Sequence, residues 1–438
     1  MKVAFLTLGC KVNSYETEAV WELLEERGYE KVEFNELSDI YIINTCSVTN
    51  NGESKSRKMI RHAIGLNKEA IVVVMGCFSQ LKSEEVLAIE GVSIAVGTNH
   101  RDQIPLLIEE YKKTKKQINH VNQLALDESY DHLSINAFAH HQRAFLKIQD
   151  GCNNFCSYCI IPYARGRVRS KRPEDVIKEA SNLVKSGFKE IILTGIHTGG
   201  YGQDLEDYHF SDLLSDLVKV EGLKRLRISS IEISELTDDV MKVIQSSNVI
   251  VNHLHVPLQS GSERILHLMN RKYTKADYLK KILELRQLKD NLSITTDIIV
   301  GFPGETEEEF LEACDFVREI VFQELHVFPY SKRDGTLAAK MPNQLDGITK
   351  KERVTRLIEI SNQLALDYAK QNVGKTLEVI PESYHDGYLV GHTSNYLKVR
   401  FKGKKEVVGQ LVTVVITKAG YPENEGLLSD KYNPYRII

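Results

Sequence analysis

Apolar strand-like runs alternate with amphipathic helical ones twice along this chain, a rhythm that excludes all-α and all-β architectures and predicts an α/β fold. Up to about Lys116 the runs Val3–Leu8, Ile40–Asn44, Ile71–Met75 and Ile94–Val96 are separated by helical patterns such as Tyr15–Arg27, Gly52–Ile64 and Asp102–Lys112. Strands that feed helices and return in one direction make a parallel sheet covered on both faces. Cys10, Cys46 and Cys77 each fall two residues beyond the end of an apolar run, with Gly9 and Gly76 beside two of them. In open α/β sheets the loops at the carboxyl ends of the strands form the ligand crevice, so cysteines distant in sequence converge there. The competing reading is three buried small hydrophobes, since cysteine is commonly buried; the shared strand-end placement weighs against it.

Between Tyr111 and Arg143 the chain turns polar, carries KKTKK at 112–116 and loses periodicity, which predicts a first domain over 1–116 and a linker over 117–143. His140 and His141 have no partner cysteines and are expected as solvated loop residues. The alternation then resumes over 144–371, with strands near Phe145–Gln149, Glu190–Thr194, Arg225–Ser229, His253–Leu258, Ile294–Val300 and Glu324–Pro329. Helical patterns at Glu174–Ser186, Asp238–Ser246, Lys275–Leu288 and Glu307–Glu319 lie between them, and a long one near Lys350–Lys370 leads out. These units predict a partial (β/α)6 barrel with its active residues just after strands, since the closed form needs eight. Over 372–438, Thr376–Pro381, Tyr388–His392, Tyr396–Phe401, Glu406–Val408 and Gln410–Ile416 read as short strands of a small β-barrel. There Lys398, Arg400 and Lys402 alternate with Leu397, Val399 and Phe401, so three cations share one strand face. Such a face suits an RNA backbone, and equally an ordinary solvated surface.

The segment GCNNFCSYC, just after the first barrel strand, sets Cys152, Cys156 and Cys159 in a C-x3-C-x2-C arrangement. Three thiolates in one tight loop can each bind one iron of a 4Fe-4S cube and leave the fourth iron open. Structural zinc would want a fourth Cys or His nearby, and the segment supplies none. Glycine-bearing strand-end segments at 194–202, 229–235, 257–262 and 296–305 fit a cofactor cleft, with Ser230, Gln259 and Asp297 as candidate polar contacts. Seven cysteines, an odd number, argue against a disulfide framework and for reduced thiolates. The opening MKVAFLTLGC has no signal-peptide pattern and no apolar run is long enough to span a membrane, so a cytoplasmic protein without a membrane partner is expected. A formal net charge of -4 leaves any nucleic-acid contact to local patches. The acid-free run ARGRVRSKRP, with Arg165, Arg167, Arg169, Lys171 and Arg172, is one; Lys55, Lys58 and His62 share a helix face after Cys46 and form another.

The cysteine spacing after strand one of an α/β barrel resembles the radical S-adenosylmethionine superfamily. The resemblance implies that the open iron chelates the amino and carboxylate groups of the cofactor. One low-potential electron, from a donor such as a flavodoxin-type reductant, then gives a 5′-deoxyadenosyl radical. Across the chain, TLGCKVNSYETE, INTCSVTN, VMGCFSQ, DGCNNFCSYCIIPYARGR, LTGIHTGGYG, HVPLQSGS and IIVGFPGET resemble the methylthiotransferases, whose terminal module is the RNA-binding TRAM domain. That resemblance implies an auxiliary 4Fe-4S cluster on Cys10, Cys46 and Cys77, the radical cluster on Cys152, Cys156 and Cys159, and a core position for Cys314. Within the family, GCKVNSYETE with LTGIHTGGYG is most similar to the branch that thiomethylates carbon 2 of N6-threonylcarbamoyladenosine at tRNA position 37. The isopentenyladenosine branch tends to carry glutamine and methionine where this chain has Lys11 and Val12, and the ribosomal-protein branch proline. Those two branches are the enzymatic alternatives, a two-cluster electron carrier is the non-enzymatic one, and the sulfur donor stays open.

Overall fold

A computed structural model describes residues 1–124, 130–131, 133–135 and 142–429. His140, His141, much of the expected linker and residues 430–438 lie outside the described residues. Strands β1 (Lys2–Thr7), β2 (Glu30–Val32), β3 (Ile40–Thr45), β4 (Ile71–Gly76), β5 (Ile94–Val96) and β6 (Ile118–His120) form one parallel sheet in the order β2-β1-β3-β4-β5-β6. Every residue of β3 and β4 is buried, which is why these strands are continuous apolar runs rather than alternating ones. Val20, Leu24, Ile104 and Ile108 cover one face, and Ile60, Ala63, Phe78 and Val86 the other. Strand β6 corrects the expected linker: its three residues pair with Ile94–Val96 as an edge strand. A segment that short and half-exposed carries no periodic signal.

Strands β7 (Ala144–Lys147), β8 (Gln149–Asp150) and β9 (Arg169–Ser170) begin the second unit, followed by β10 (Glu190–Thr194), β11 (Arg225–Ile228), β12 (His253–His255), β13 (Ser293–Val300) and β14 (Glu324–Pro329). Two parallel three-stranded sheets, β7-β10-β11 and β12-β13-β14, are joined by a parallel bridge from Leu226 to Ile250. Among the described residues β7 and β14 do not pair, so the barrel wall stays open. The helix Lys11–Glu25 serves two cores: Val20 and Leu24 pack on its own sheet, while Tyr15 and Ala19 join the barrel core. Cys314 is 2% exposed in that same core.

The helix Gly347–Lys370, whose first N–H groups are capped by Asp346, leads to β15 (Thr376–His385), β16 (Tyr388–Thr393), β17 (Lys398–Lys402), β18 (Val412–Lys418) and β19 (Asn424–Leu428). These close into a five-stranded barrel in the order β15-β16-β17-β19-β18. Residues Lys405–Val407 form a 3-10 turn instead of the expected strand, and β19, absent from the sequence reading, completes the closure. The small barrel is bonded to the amino ends of the larger one. Arg225 donates to Glu378 O at 2.7 Å and His392 O at 3.2 Å, and Tyr396 stacks on His253 at 4.4 Å. Among the described residues no helix is long and apolar enough to cross a membrane.

Candidate functional site

Cys10, Cys46 and Cys77 leave the carboxyl ends of β1, β3 and β4, which are neighbours in the sheet. Gly9, at φ 113°, sits in a conformation that favours glycine and in a tight place: a Cβ there would stand 3.1 Å from Cys46 Cβ and 3.3 Å from its Sγ. Gly76, at φ 97°, faces Asn44 Oδ1 and Thr45 O at 2.5 and 2.6 Å in the same way, so only glycine turns β4 into the short helix that Cys77 begins. Asn13 ties the loops together by donating to Leu8 O, Asn44 Oδ1 and Thr45 O at 2.9–3.1 Å while it accepts from Cys10 Sγ at 3.3 Å. Burial pushes the Cys77 thiol up to about 11, against the pull of Arg165, and also raises Cys46.

The second set follows β8. Gly151, at φ 73°, lies where a Cβ would meet Arg167 O at 1.8 Å, and Cys152 N–H donates to Gly166 O at 3.0 Å. The segment 269–271 pins the loop from outside, through Ser157 N–H to Met269 O and Asn270 Nδ2 to Phe155 O, both 3.0 Å. Arg271 Nη1 donates to Cys156 Sγ at 3.4 Å and is neutralised by Glu232. Burial pushes Cys159 up to about 12 and raises Cys156 despite Arg271. Burial also disfavours a charged His197, but its bonds to Cys152 and Glu235 prevail and hold it up to about 10. The strand-end segments at 194–202 and 229–235 contain His197, Glu232 and Glu235, though nothing in their sequence singles out those residues; Arg271 has no sequence signal.

Each cysteine set thus has a buried guanidinium donating to one sulfur, Arg165 to Cys77 at 3.3 Å and Arg271 to Cys156 at 3.4 Å. Desolvated thiols of this kind stay protonated at neutral pH unless a metal replaces the proton, and a nearby guanidinium favours the thiolate. Among the described residues no three His, Cys, Asp or Glu side chains gather round a single ion position. Ligands that each take a separate iron of a cluster have no need to. Both sets therefore fit clusters.

Beside Cys159 opens a cavity of about 270 Å³ lined by Thr49, Tyr158, Ile160, Gln259, Asp297 and Tyr330 among others. Gln259 and Asp297 are two of the three expected cofactor contacts; Ser230 lies half-buried after β11 and is not part of this lining. Gln259, at φ 69°, is held through its backbone, donating to Asp297 O at 2.8 Å and accepting from Ile299 N–H at 2.9 Å.

The basic run after the loop is corrected by the structure. Arg165 is 0% exposed: it donates to Glu16 at 2.8 Å, Asp150 at 3.1 Å and Asn13 at 3.0 Å as well as to Cys77. Arg169 is buried and donates to Arg165 O at 2.9 Å, and Lys171 is buried against Glu179. Only Arg167 and Arg172 of the run are exposed, Arg167 with its guanidinium 4.6 Å from the centre of the Phe155 ring. The run is acid-free in sequence, but distant acids meet it in space. Arg165 and Arg169 are therefore not phosphate contacts. Lys55, Lys58 and His62 are exposed, as are Arg400 and Lys402; Arg400 lies 3.9 Å from the centre of the Tyr388 ring, and Lys398 is half-buried and paired with Glu423 at 2.7 Å.

Residues 146–317 match the radical SAM superfamily, and residues 2–97 match an uncharacterised protein family, UPF0004. Over 430 residues the chain is 53% identical to the threonylcarbamoyladenosine tRNA methylthiotransferase MtaB of Bacillus subtilis (strain 168), covering 97% of this chain and 95% of that one. It is 38% identical over 416 residues to a protein of the same name from Aquifex aeolicus, covering 95% and 100%. A tRNA-2-methylthio-N(6)-dimethylallyladenosine synthase from Thermoanaerobacter pseudethanolicus is 37% identical over 423 residues, covering 94% and 89%. Among solved structures, the radical S-adenosylmethionine methyltransferase TsrM from Kitasatospora setae superposes with a TM-score of 0.57 at 14% identity, covering 89% and 80%, a likeness of fold alone.

Proposed function

This chain belongs to the radical S-adenosylmethionine methylthiotransferases, and from that membership we propose that it adds a methylthio group to carbon 2 of N6-threonylcarbamoyladenosine at position 37 of tRNA. The observation that carries the reading is the pairing of two three-cysteine sets on strand-end loops, linked by the bond from Arg165 to Cys77. Cys152, Cys156 and Cys159 would hold the cluster that takes S-adenosylmethionine, with Gln259 and Asp297 at its polar groups; Cys10, Cys46 and Cys77 would hold the auxiliary one. Bound there, the two 4Fe-4S clusters and S-adenosylmethionine supply the electron, the 5′-deoxyadenosyl radical and the open iron for sulfur.

The protein's own work is positioning and insulation. Arg271 and Arg165 set positive charge against one sulfur of each set, and Tyr158, Ile160 and Tyr330 keep the cavity beside Cys159 largely apolar. An anticodon-loop base is already single-stranded, so splaying it into the crevice costs less than opening a duplex. The partners of this reading are tRNA and an electron donor such as a flavodoxin-type reductant, and a cytoplasmic enzyme suits both. The test is nucleoside mass spectrometry of tRNA treated with the purified, anaerobically reconstituted protein. Methylthio transfer to threonylcarbamoyladenosine is expected; conversion of isopentenyladenosine alone would replace this reading with that of the dimethylallyladenosine relatives.

The small barrel contributes affinity in this reading. Changing Arg400 and Lys402 to Glu is expected to weaken tRNA binding and to flatten the slope of log affinity against log salt by roughly 1–2. Lys398→Glu should move it less, because Glu423 already neutralises that ammonium. Filter binding over a salt series measures both, and an unchanged slope would show a merely solvated face.

A further inference from the structure

Lys11 directly follows Cys10 and opens the helix Lys11–Glu25, so it is fixed at the rim of the auxiliary cysteine set. Its side chain is solvent-accessible, and among the described residues no hydrogen bond or ion pair ties down its ammonium. It shares a helix face with Tyr15 and Ala19, four and eight residues on, both packed in the barrel core, and besides the adjacent Cys10 the charges that reach it are the barrel's Arg143, Arg227 and Glu190. Lys11 in turn acts on His253 of β12 and His326 of β14. It therefore lies on the side of its helix that faces the barrel. The acid among those charges is already shared, since Glu190 meets Arg227 at 2.7 Å, Arg225 at 3.5 Å and Arg143 at 3.7 Å. On the other side His326 lies 5.4 Å from the His255 ring, whose Nε2 meets Asp297 at 3.3 Å, and Asp297 lines the cavity beside Cys159. An uncommitted cation is thus held beside Cys10 on the barrel-facing side of this helix. The first turn of its helix carries no acid, so the amino-terminal N–H groups add to the positive potential rather than cancel it.

Resting on the substrate assigned above, we propose that Lys11 is the specificity-determining residue that binds the carboxylate of the threonylcarbamoyl group and so selects that nucleoside over one with an apolar N6 substituent. An ammonium offers donors only, and a carboxylate acceptors only, so the pair is complementary in charge and in hydrogen bonding. A hydrocarbon arm in the same place would strip water from the ammonium and return nothing, the strong form of discrimination. The exposed arginines of the run after the cluster loop are reduced to Arg167 and Arg172, and Arg167 is occupied over Phe155.

The experiment compares native protein with Lys11→Gln and Lys11→Arg on two tRNAs, one carrying threonylcarbamoyladenosine and one carrying its carboxyl methyl ester. Lys11→Gln is expected to raise KM for the free acid by about ten- to a hundredfold, with a smaller change in kcat. Esterification should penalise the native protein by a similar factor and Lys11→Gln hardly at all, and Lys11→Arg should recover part of the preference for the free acid. Iron and sulfide content, equal in all three proteins, guards against damage to the neighbouring Cys10. An equal penalty for the ester in native and Lys11→Gln protein, or an unchanged KM, overturns the inference alone. Native protein that leaves the free acid untouched overturns the assigned substrate and this inference with it.

Discussion

Replacing any one of Cys152, Cys156 and Cys159 with Ala is expected to abolish 5′-deoxyadenosine formation, whereas replacing Cys10, Cys46 or Cys77 should leave cofactor cleavage and remove the methylthio product. The separation follows from how the loops are supported. Backbone bonds to Gly166 and Met269 and the guanidinium of Arg271 hold the first set. Asn13 and the tight passages at Gly9 and Gly76 hold the second. Losing one thiol from either leaves the other loop's hydrogen bonds untouched, with one graded exception. Cys77 accepts from Arg165, which ends the helix Ile161–Arg165 directly after the radical loop, so Cys77→Ala should slow cofactor cleavage more than Cys10→Ala or Cys46→Ala. Chromatography of 5′-deoxyadenosine alongside nucleoside mass spectrometry reads both activities from one anaerobic reaction. Full thiomethylation by a Cys46→Ala protein would sink the second set's assignment.

The cysteines were legible because their chemistry is written in spacing and strand position, both local. The strands of the two parallel units were legible because burial on both faces leaves uninterrupted apolar runs such as Ile71–Met75. Helix starts at Lys275 and Glu307 are marked by Thr274 and Thr306, each in a reciprocal cap with an acid three residues on. The failures share the opposite cause. Strand β6 is three residues long and β19 carries Gly426 mid-strand, so neither has a pattern of its own; each exists because a neighbouring edge needed a partner. The run around Arg165 carries no acid of its own, yet a carboxylate it pairs with, Glu16, lies 149 residues away. Periodicity reports which face of an element is buried, and is silent on which distant charge meets it.

Arg165→Ala is expected to destabilise the fold by about 3–5 kcal/mol and to shift acid unfolding to higher pH. Direct ion pairs join Arg101, Lys147 and Arg165 to Glu16, Asp131 and Asp150, all buried, across the seam between the N-terminal sheet and the barrel. Burial alone would raise Glu16, but Arg101, Arg165 and Lys147 bring it down to about 2, and Asp150 is likewise held well below its ordinary value. A carboxylate depressed in the folded state adds stability that is complete above its unfolded pKa and is lost as pH falls through the folded one. For Glu16 that window runs from its ordinary 4.5 down to about 2. Without Arg165 both carboxylates lose a cation and their folded values rise, so the stability they add at neutral pH shrinks and is fully lost at a higher pH, and the less stable protein unfolds earlier on acidification. Arg165→Lys should recover part of the stability through charge, but not the fork that reaches Asn13 and Cys77 as well, so auxiliary iron content should stay low in both variants. Chemical unfolding at neutral and acidic pH, with iron quantified on the same samples, checks each part. An Arg165→Ala protein with native stability and full iron content would mean that Arg101 and Lys147 suffice for both carboxylates.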